Sequence, residues 1–234
     1  MTSSNKQTKS KVMIDLSLSK SKFNDLSLFI ELALEKKVLQ FGEFVTKAGR
    51  KSPYFFNLGA FDDGESLMLL GSFFATKILN TKIEFDMIFG PAYKGIPLVS
   101  STVTALSLRH RNTPYAFNRK EAKDHGEGGE IIGSAIKGKV LVLDDVISAG
   151  TSINESYNLI HNNGAQIAGV VVAIDRQEKG ENKLSATQEI AKKYSIPVFS
   201  LINLKDIIHY LETKNGFTNE LELIKKYQNT YGVI

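Results

Sequence analysis

Residues 140–152 read Val-Leu-Val-Leu-Asp-Asp-Val-Ile-Ser-Ala-Gly-Thr-Ser. Val140–Leu143 is a short apolar run, rich in β-branched side chains, of the kind buried on both faces of a parallel sheet. It ends in two carboxylates, Asp144 and Asp145, where open α/β sheets present residues to ligands. Ser148, Gly150, Thr151 and Ser152 follow, just ahead of a helical pattern through Ile153, Tyr157 and Ile160. A glycine-containing turn at a helix start offers unpaired backbone N–H groups and the positive end of the helix dipole, which suits a phosphate. The carboxylates repel a phosphate and need hydroxyl groups or a metal ion instead. A sugar phosphate supplies both kinds of target at this spacing. An ordinary strand-turn-helix, with Asp-Asp as a solvated corner and Thr151 or Ser152 as an N-cap, is the plain alternative.

The pattern on either side extends this unit into an α/β fold. Phe85–Phe89, Pro114–Asn118, Lys139–Leu143, 167–174 and 197–201 read as strands. Helical periodicity covers 65–80, 95–108, 152–163 and about 185–194, with two more helices at the C-terminus. Strands separated by helices predict a parallel sheet flanked on both faces. An N-terminal helix from Phe23 to about Val38 and a hairpin over Gly42–Leu58, turning at Gly49–Pro53, precede that alternation. They are expected to form a small cap, mainly from residues 23–60, on a single domain spanning 23–234.

Bulk properties exclude several classes. The chain has 234 residues, no cysteine and a net charge of +4. Disulfides, Cys-containing zinc sites and thiol nucleophiles are therefore absent. No apolar stretch is long enough to span a bilayer, so no membrane partner is expected. Residues 1–22 hold five lysines and one aspartate, which leaves 24 basic and 24 acidic side chains over 23–234. The basic surplus thus belongs to the tail, and no nucleic-acid partner is expected. The tail lacks a signal peptide's apolar core and has no arginine. It reads as a disordered basic extension of a cytoplasmic protein.

Two further segments carry candidate chemistry. Gly90-Pro91-Ala92-Tyr93-Lys94-Gly95-Ile96-Pro97 links a strand to a helix, with glycines that permit close backbone approach and a mobile cation in Lys94. Residues 119–130 lack apolar anchors and contain three glycines beside Arg119, Lys120, Lys123 and His125. Either a solvated surface loop or a mobile catalytic lid over a polyphosphate fits that composition.

The 140–152 segment resembles the phosphoribosyl pyrophosphate (PRPP) motif of the type I phosphoribosyltransferases. The resemblance implies that Asp144 and Asp145 hold the ribose hydroxyls. It also implies a 5′-phosphate site over Val146, Ile147, Ser148, Ala149, Gly150, Thr151 and Ser152. In that family the loop equivalent to 90–97 binds pyrophosphate, implicating Tyr93 and Lys94, with Ala92–Tyr93 as a candidate cis bond. Phe117–Gly129 is similar to the lid of the bacterial orotate phosphoribosyltransferases, and a second block, Gly42–Asn57, agrees. From that likeness Arg119, Lys120, Lys123 and His125 become PRPP contacts, with Lys123 and His125 joining Asp144 and Asp145 as catalytic residues. Lys47 is implied on the pyrophosphate side, and Phe55, Phe56 and Ser148 against orotate. Asp175-Arg176-Gln177-Glu178 follows an apolar strand, so Arg176 emerges at the ligand edge, where its fork matches a carboxylate. Core packing of the Phe55–Phe56 pair and an ion pair of Arg176 with Asp175 or Glu178 remain the alternatives there. The family further implies Mg²⁺ carried with PRPP, no dedicated metal ligands, and a homodimer sharing its lids.

The expected activity is transfer of a phosphoribosyl group from PRPP to orotate. Competing readings are a family member for another base, or a non-enzymatic PRPP-binding regulator. The lid sequence and Arg176 argue against the first, and the lack of a basic face argues against the second.

Overall fold

The computed structural model describes residues 25–46, 48–120, 130–148, 150–180 and 183–233. The 1–22 extension, Lys47, Lys123, His125 and Ala149 lie outside the described residues. In chain order the elements are α1 (Leu26–Glu35), β1 (Leu39–Val45), β2 (Lys51–Phe56), α2 (Gly64–Thr81), β3 (Met87–Gly90), α3 (Gly95–Ser107), β4 (Tyr115–Asn118) and β5 (Ile131–Gly133). They continue as β6 (Lys139–Val146), α4 (Thr151–Asn162), β7 (Gln166–Asp175), α5 (Ala186–Tyr194), β8 (Val198–Asn203), α6 (Leu204–Thr213) and α7 (Thr218–Tyr231).

Apolar runs make the sheet's centre. Val140–Leu143 and Val170–Ile174 are fully buried, as strands covered on both faces must be. The sheet order is β5-β4-β3-β6-β7-β8. Alternation then divides the core in two. Leu141, Leu143, Val171 and Ala173 pack with residues of α1, α2, α3, α6 and α7. Val140, Val142, Val170 and Val172 pack with α4 and α5. Five strands run parallel, while β5 pairs antiparallel with β4. The sequence pattern misses β5, because three residues are too few to show a period. It folds directly back from the loop that follows β4, so it can pair only antiparallel at the edge.

The chain steps from β3 outward to β4 and then crosses back to β6 on the other side of β3. This reversal opens a crevice at the C-terminal ends of β3 and β6, where doubly wound sheets bind ligands. Helices α1, α2, α5 and α6 start with side-chain caps from Asp25, Asp63, Ser185 and Asn203. Helices α3 and α4, which start at the crevice, have none. Their first backbone N–H groups thus carry no side-chain cap.

The cap differs from the sequence expectation in two ways. The hairpin turns at Thr46–Arg50, where Gly49 takes a φ of 74° and donates to Thr46 O at 2.9 Å. Lys51, Ser52 and Pro53 belong to β2, and Pro53 lies opposite the register break between Phe41 and Phe44, where its missing N–H breaks no ladder. The cap is also completed from the C-terminus. Tyr227 of α7 packs edge-on against Tyr54 of β2, with ring centroids 6.2 Å apart. Among the described residues no helix is long and apolar enough to cross a membrane.

Candidate active site

Strand β6 carries the acid pair out of the core while keeping it buried: Asp144 is 6% exposed and Asp145 8%. Both carboxylates cap their own strand end. Asp144 Oδ1 accepts from Asp145 N, and Asp145 Oδ1 from Val146 N, each at 2.8 Å. Burial, and next the neighbouring negative charge of Asp145, push Asp144 up to about 6, with the Ser152 hydroxyl pulling the other way. Two adjacent buried acids are costly without cations or hydroxyl donors. One cation is present: Lys94 Nζ lies 2.5 Å from Asp145 Oδ2.

Lys94 arrives from the loop after β3. Gly90 and Gly95 interlock at its base, since a Cβ on Gly90 would sit 2.2 Å from Gly95 O and one on Gly95 2.5 Å from Gly90 C. Gly95 N donates to Pro91 O at 2.9 Å. The Ala92–Tyr93 peptide is cis, as the family likeness suggested, and Tyr93 is 67% exposed above the crevice. Asn118, the last residue of β4, accepts from Ala92 N at 2.9 Å through Oδ1. It thereby ties the loop to the root of the 119–130 segment. Sequence reasoning assigned Asn118 no role, and no local signal separates a tether from an ordinary strand-end asparagine.

The turn after β6 has Ile147 buried, Ser148 exposed and Gly150 left-handed at φ 72°. A Cβ on Gly150 would press Ile190 of α5 at 3.0 Å, so packing and conformation both call for glycine. Helix α4 starts at Thr151 with Ser152 beside Asp144. At the root of the 119–130 segment, Arg119 N donates to Glu130 O at 2.7 Å. Arg119 is half-buried and Lys120 exposed.

The cap contributes the other wall. Strand alternation sends the adjacent aromatics to opposite sides. Phe55 is 42% exposed and stacks on Phe44 at 5.3 Å, while the Phe56 ring lies in the core. One ring of the pair therefore faces out. Arg176 leaves β7 next to β2. Its Nε donates to Glu178 Oε1 at 2.7 Å and its Nη2 to Ser52 Oγ at 3.0 Å, over the Tyr54 ring at 4.2 Å. The Glu178 ion pair read as one alternative from sequence thus forms. It occupies the side-on edge of the guanidinium.

The paired acids of β6, the glycine-locked Lys94 loop after β3 and the uncapped start of α4 thus line one crevice. The sequence profile of the phosphoribosyl transferase domain matches residues 58–199, and the chain belongs to that family. Within it, the chain is an orotate phosphoribosyltransferase family member. It is 55% identical to the orotate phosphoribosyltransferase of Vibrio parahaemolyticus over 206 residues, spanning 88% of this chain and 97% of that protein. The enzyme of the same name from Escherichia coli is 54% identical over the same spans. A crystal structure of the Francisella tularensis orotate phosphoribosyltransferase superposes with a TM-score of 0.80 at 43% identity, covering 88% of this chain and 99% of that one. Leishmania donovani UMP synthase shares the fold, with a TM-score of 0.70 at 21% identity, over 90% of this chain and 43% of that one.

Proposed function

We infer that the protein transfers the 5-phosphoribosyl group of PRPP to orotate, releasing pyrophosphate and forming orotidine 5′-monophosphate for pyrimidine nucleotide synthesis. The observation that carries this is the meeting of Lys94 with the buried Asp144–Asp145 pair across the β3–β6 crevice. The acids accept from the ribose hydroxyls. The 5′-phosphate lies on the turn from Val146 to Ser152, and Tyr93 and Lys94 meet the pyrophosphate.

The reaction breaks the bond from the anomeric carbon to pyrophosphate oxygen and forms one to a ring nitrogen of orotate. Positive charge develops on the sugar ring and negative charge on the leaving group. No side-chain nucleophile is needed; alignment and preorganised charge lower the barrier. Asp144 and Asp145 suit the cationic ring. Lys94, Arg119 and Lys120 suit the departing pyrophosphate, with Lys47, Lys123 and His125 assigned to the same side by family likeness.

The family implies Mg²⁺. Among the described residues no three acidic or histidine side chains converge on one point. Two buried carboxylates beside a diphosphate do fit an ion that enters on the substrate, where it would neutralise pyrophosphate charge.

For the base, Phe55 offers an exposed ring and the Nη1 end of Arg176 a carboxylate partner, with Ser148 at the sugar side. A cytoplasmic homodimer with shared lids completes the reading. The direct test is an absorbance assay with orotate, PRPP and Mg²⁺, run beside adenine, hypoxanthine and uracil. Turnover of orotate alone is expected, and turnover of another base in its place would refute the assignment.

A further inference from the structure

The guanidinium assigned to the orotate carboxylate is held by residues that the reaction does not use. A free arginine side chain has high rotamer entropy, so binding a small planar carboxylate requires it to be ordered beforehand. Here Glu178 holds one edge, Ser52 accepts from Nη2 and the Tyr54 ring lies against its face. Ser52 is itself fixed by donating to Tyr54 O at 2.7 Å.

Glu178 stands in a turn closed by one hydrogen bond of its own, from Gln177 N to Asp175 Oδ1 at 2.8 Å, with Gln177 Oε1 accepting from Lys205 N at 3.1 Å. Gln177 is left-handed at φ 51°, a conformation unfavourable for a non-glycine residue. The end of the chain clamps this turn on both sides. Val233 N donates to Gln177 O at 2.8 Å and Lys179 N to Tyr231 O at 2.7 Å, with Gly232 bridged to Glu178 between them. Arg50 makes a second link. Its Nη1 lies 3.6 Å from Glu178 Oε2, its Nη2 donates to Lys179 O at 2.7 Å, and its guanidinium covers the Tyr231 ring at 5.1 Å. A third link runs from Tyr227 to the Tyr54 ring, whose face carries Arg176. Gly232 makes the strap possible, because a Cβ there would lie 2.5 Å from Gln228 O.

We propose that the C-terminal strap, Tyr227–Val233, is a positioning element for base recognition that holds the Arg176 guanidinium in place through Glu178 and Arg50. Among the described residues no hydrogen bond, ion pair or ring contact joins the strap to the acid pair or the Gly90–Gly95 loop, so its effect falls on orotate rather than PRPP. The proposal rests on Arg176 as the carboxylate partner.

Two perturbations test it in the full enzyme. Gly232→Ala displaces the strap, and Tyr231→Ala removes the ring beneath Arg50. Truncation before Gly232 deletes the Val233–Gln177 hydrogen bond and serves if either variant folds poorly. Each should raise KM for orotate about 2- to 12-fold, the cost of re-ordering one long side chain, with KM for PRPP and kcat within about 2-fold of wild type. Tyr231→Phe keeps the ring and should behave as wild type. Equal rises in both KM values would make the strap merely structural and overturn the proposal. An unchanged orotate KM in all three, while Arg176→Ala raises it, would overturn the strap alone. An unchanged orotate KM in Arg176→Ala would bring down the base-recognition reading and the strap with it.

Discussion

Asp144→Asn should stabilise the free protein while disabling it. Asp144 is buried, and its carboxyl is pushed up to about 6 by burial and by Asp145, against an ordinary value of 3.8. Below about pH 4 both folded and unfolded chains carry the proton, and the site costs nothing. Between about 4 and 6 the unfolded chain ionises first, so stability falls as pH rises, and above 6 the full penalty is present. A shift of roughly two units corresponds to about 3 kcal/mol. Asparagine keeps the acceptor for Asp145 N but loses part of the Ser152 interaction, which reduces the expected gain to about 1–2 kcal/mol. For a domain of this size that is about 2–8 °C in melting temperature. Melting of wild type and variant at equal protein concentration, without PRPP, should show this gain at pH 7.5. At pH 4 the penalty falls to roughly a fifth of its full value, so the gain should vanish. Turnover should fall by about 100-fold or more, since the lost charge faces the developing cation. A variant that melts lower at pH 7.5, or gains equally at both pH values, would refute the argument that the penalty is one of charge.

Gly90→Ala places a methyl 2.2 Å from Gly95 O and should open the Lys94 loop, lowering kcat/KM for PRPP at least about 10-fold and stability by about 1–3 kcal/mol, read by steady-state kinetics and melting. A shared lid makes damaged subunits complementary. Lys123→Ala mixed with Asp144→Asn/Asp145→Asn under subunit exchange should regain up to about a quarter of wild-type sites, whereas a lid acting in its own chain gives only the parental average. Deletion of residues 1–22 should leave activity and melting temperature almost unchanged, since that segment has little apolar surface to bury; a clear fall in either would show a docked element.

What the sequence determined by itself was local. An apolar run followed by two acids and a glycine turn makes a strand, a corner and a helix start through interactions among near neighbours, and 140–152 reads that way without any other part of the chain. The same holds for the strand–helix alternation, because periodicity reports which faces are buried, whereas the absence of a side-chain cap from Thr151 or Ser152 at α4 was decided by the structure. Periodicity does not report which strand lies beside which. The meeting of Lys94 with Asp145, 51 residues apart, depends on the crossing from β4 back to β6. The Asn118 tether to Ala92 depends instead on the parallel pairing of β3 with β4. The family likeness put both Phe55 and Phe56 against orotate, and only the packing of β2 against α7 and the core decided that the Phe56 ring went inside. Arg176 shows the limit most clearly. Its ion pair with Glu178 is visible at two residues' separation, but Ser52 reaches it from 124 residues away and the clamp on its turn comes from the end of the chain. Such contacts form only after the sheet has closed, because the ordering entropy of the intervening chain is offset by burial of the whole core and not by any one pair.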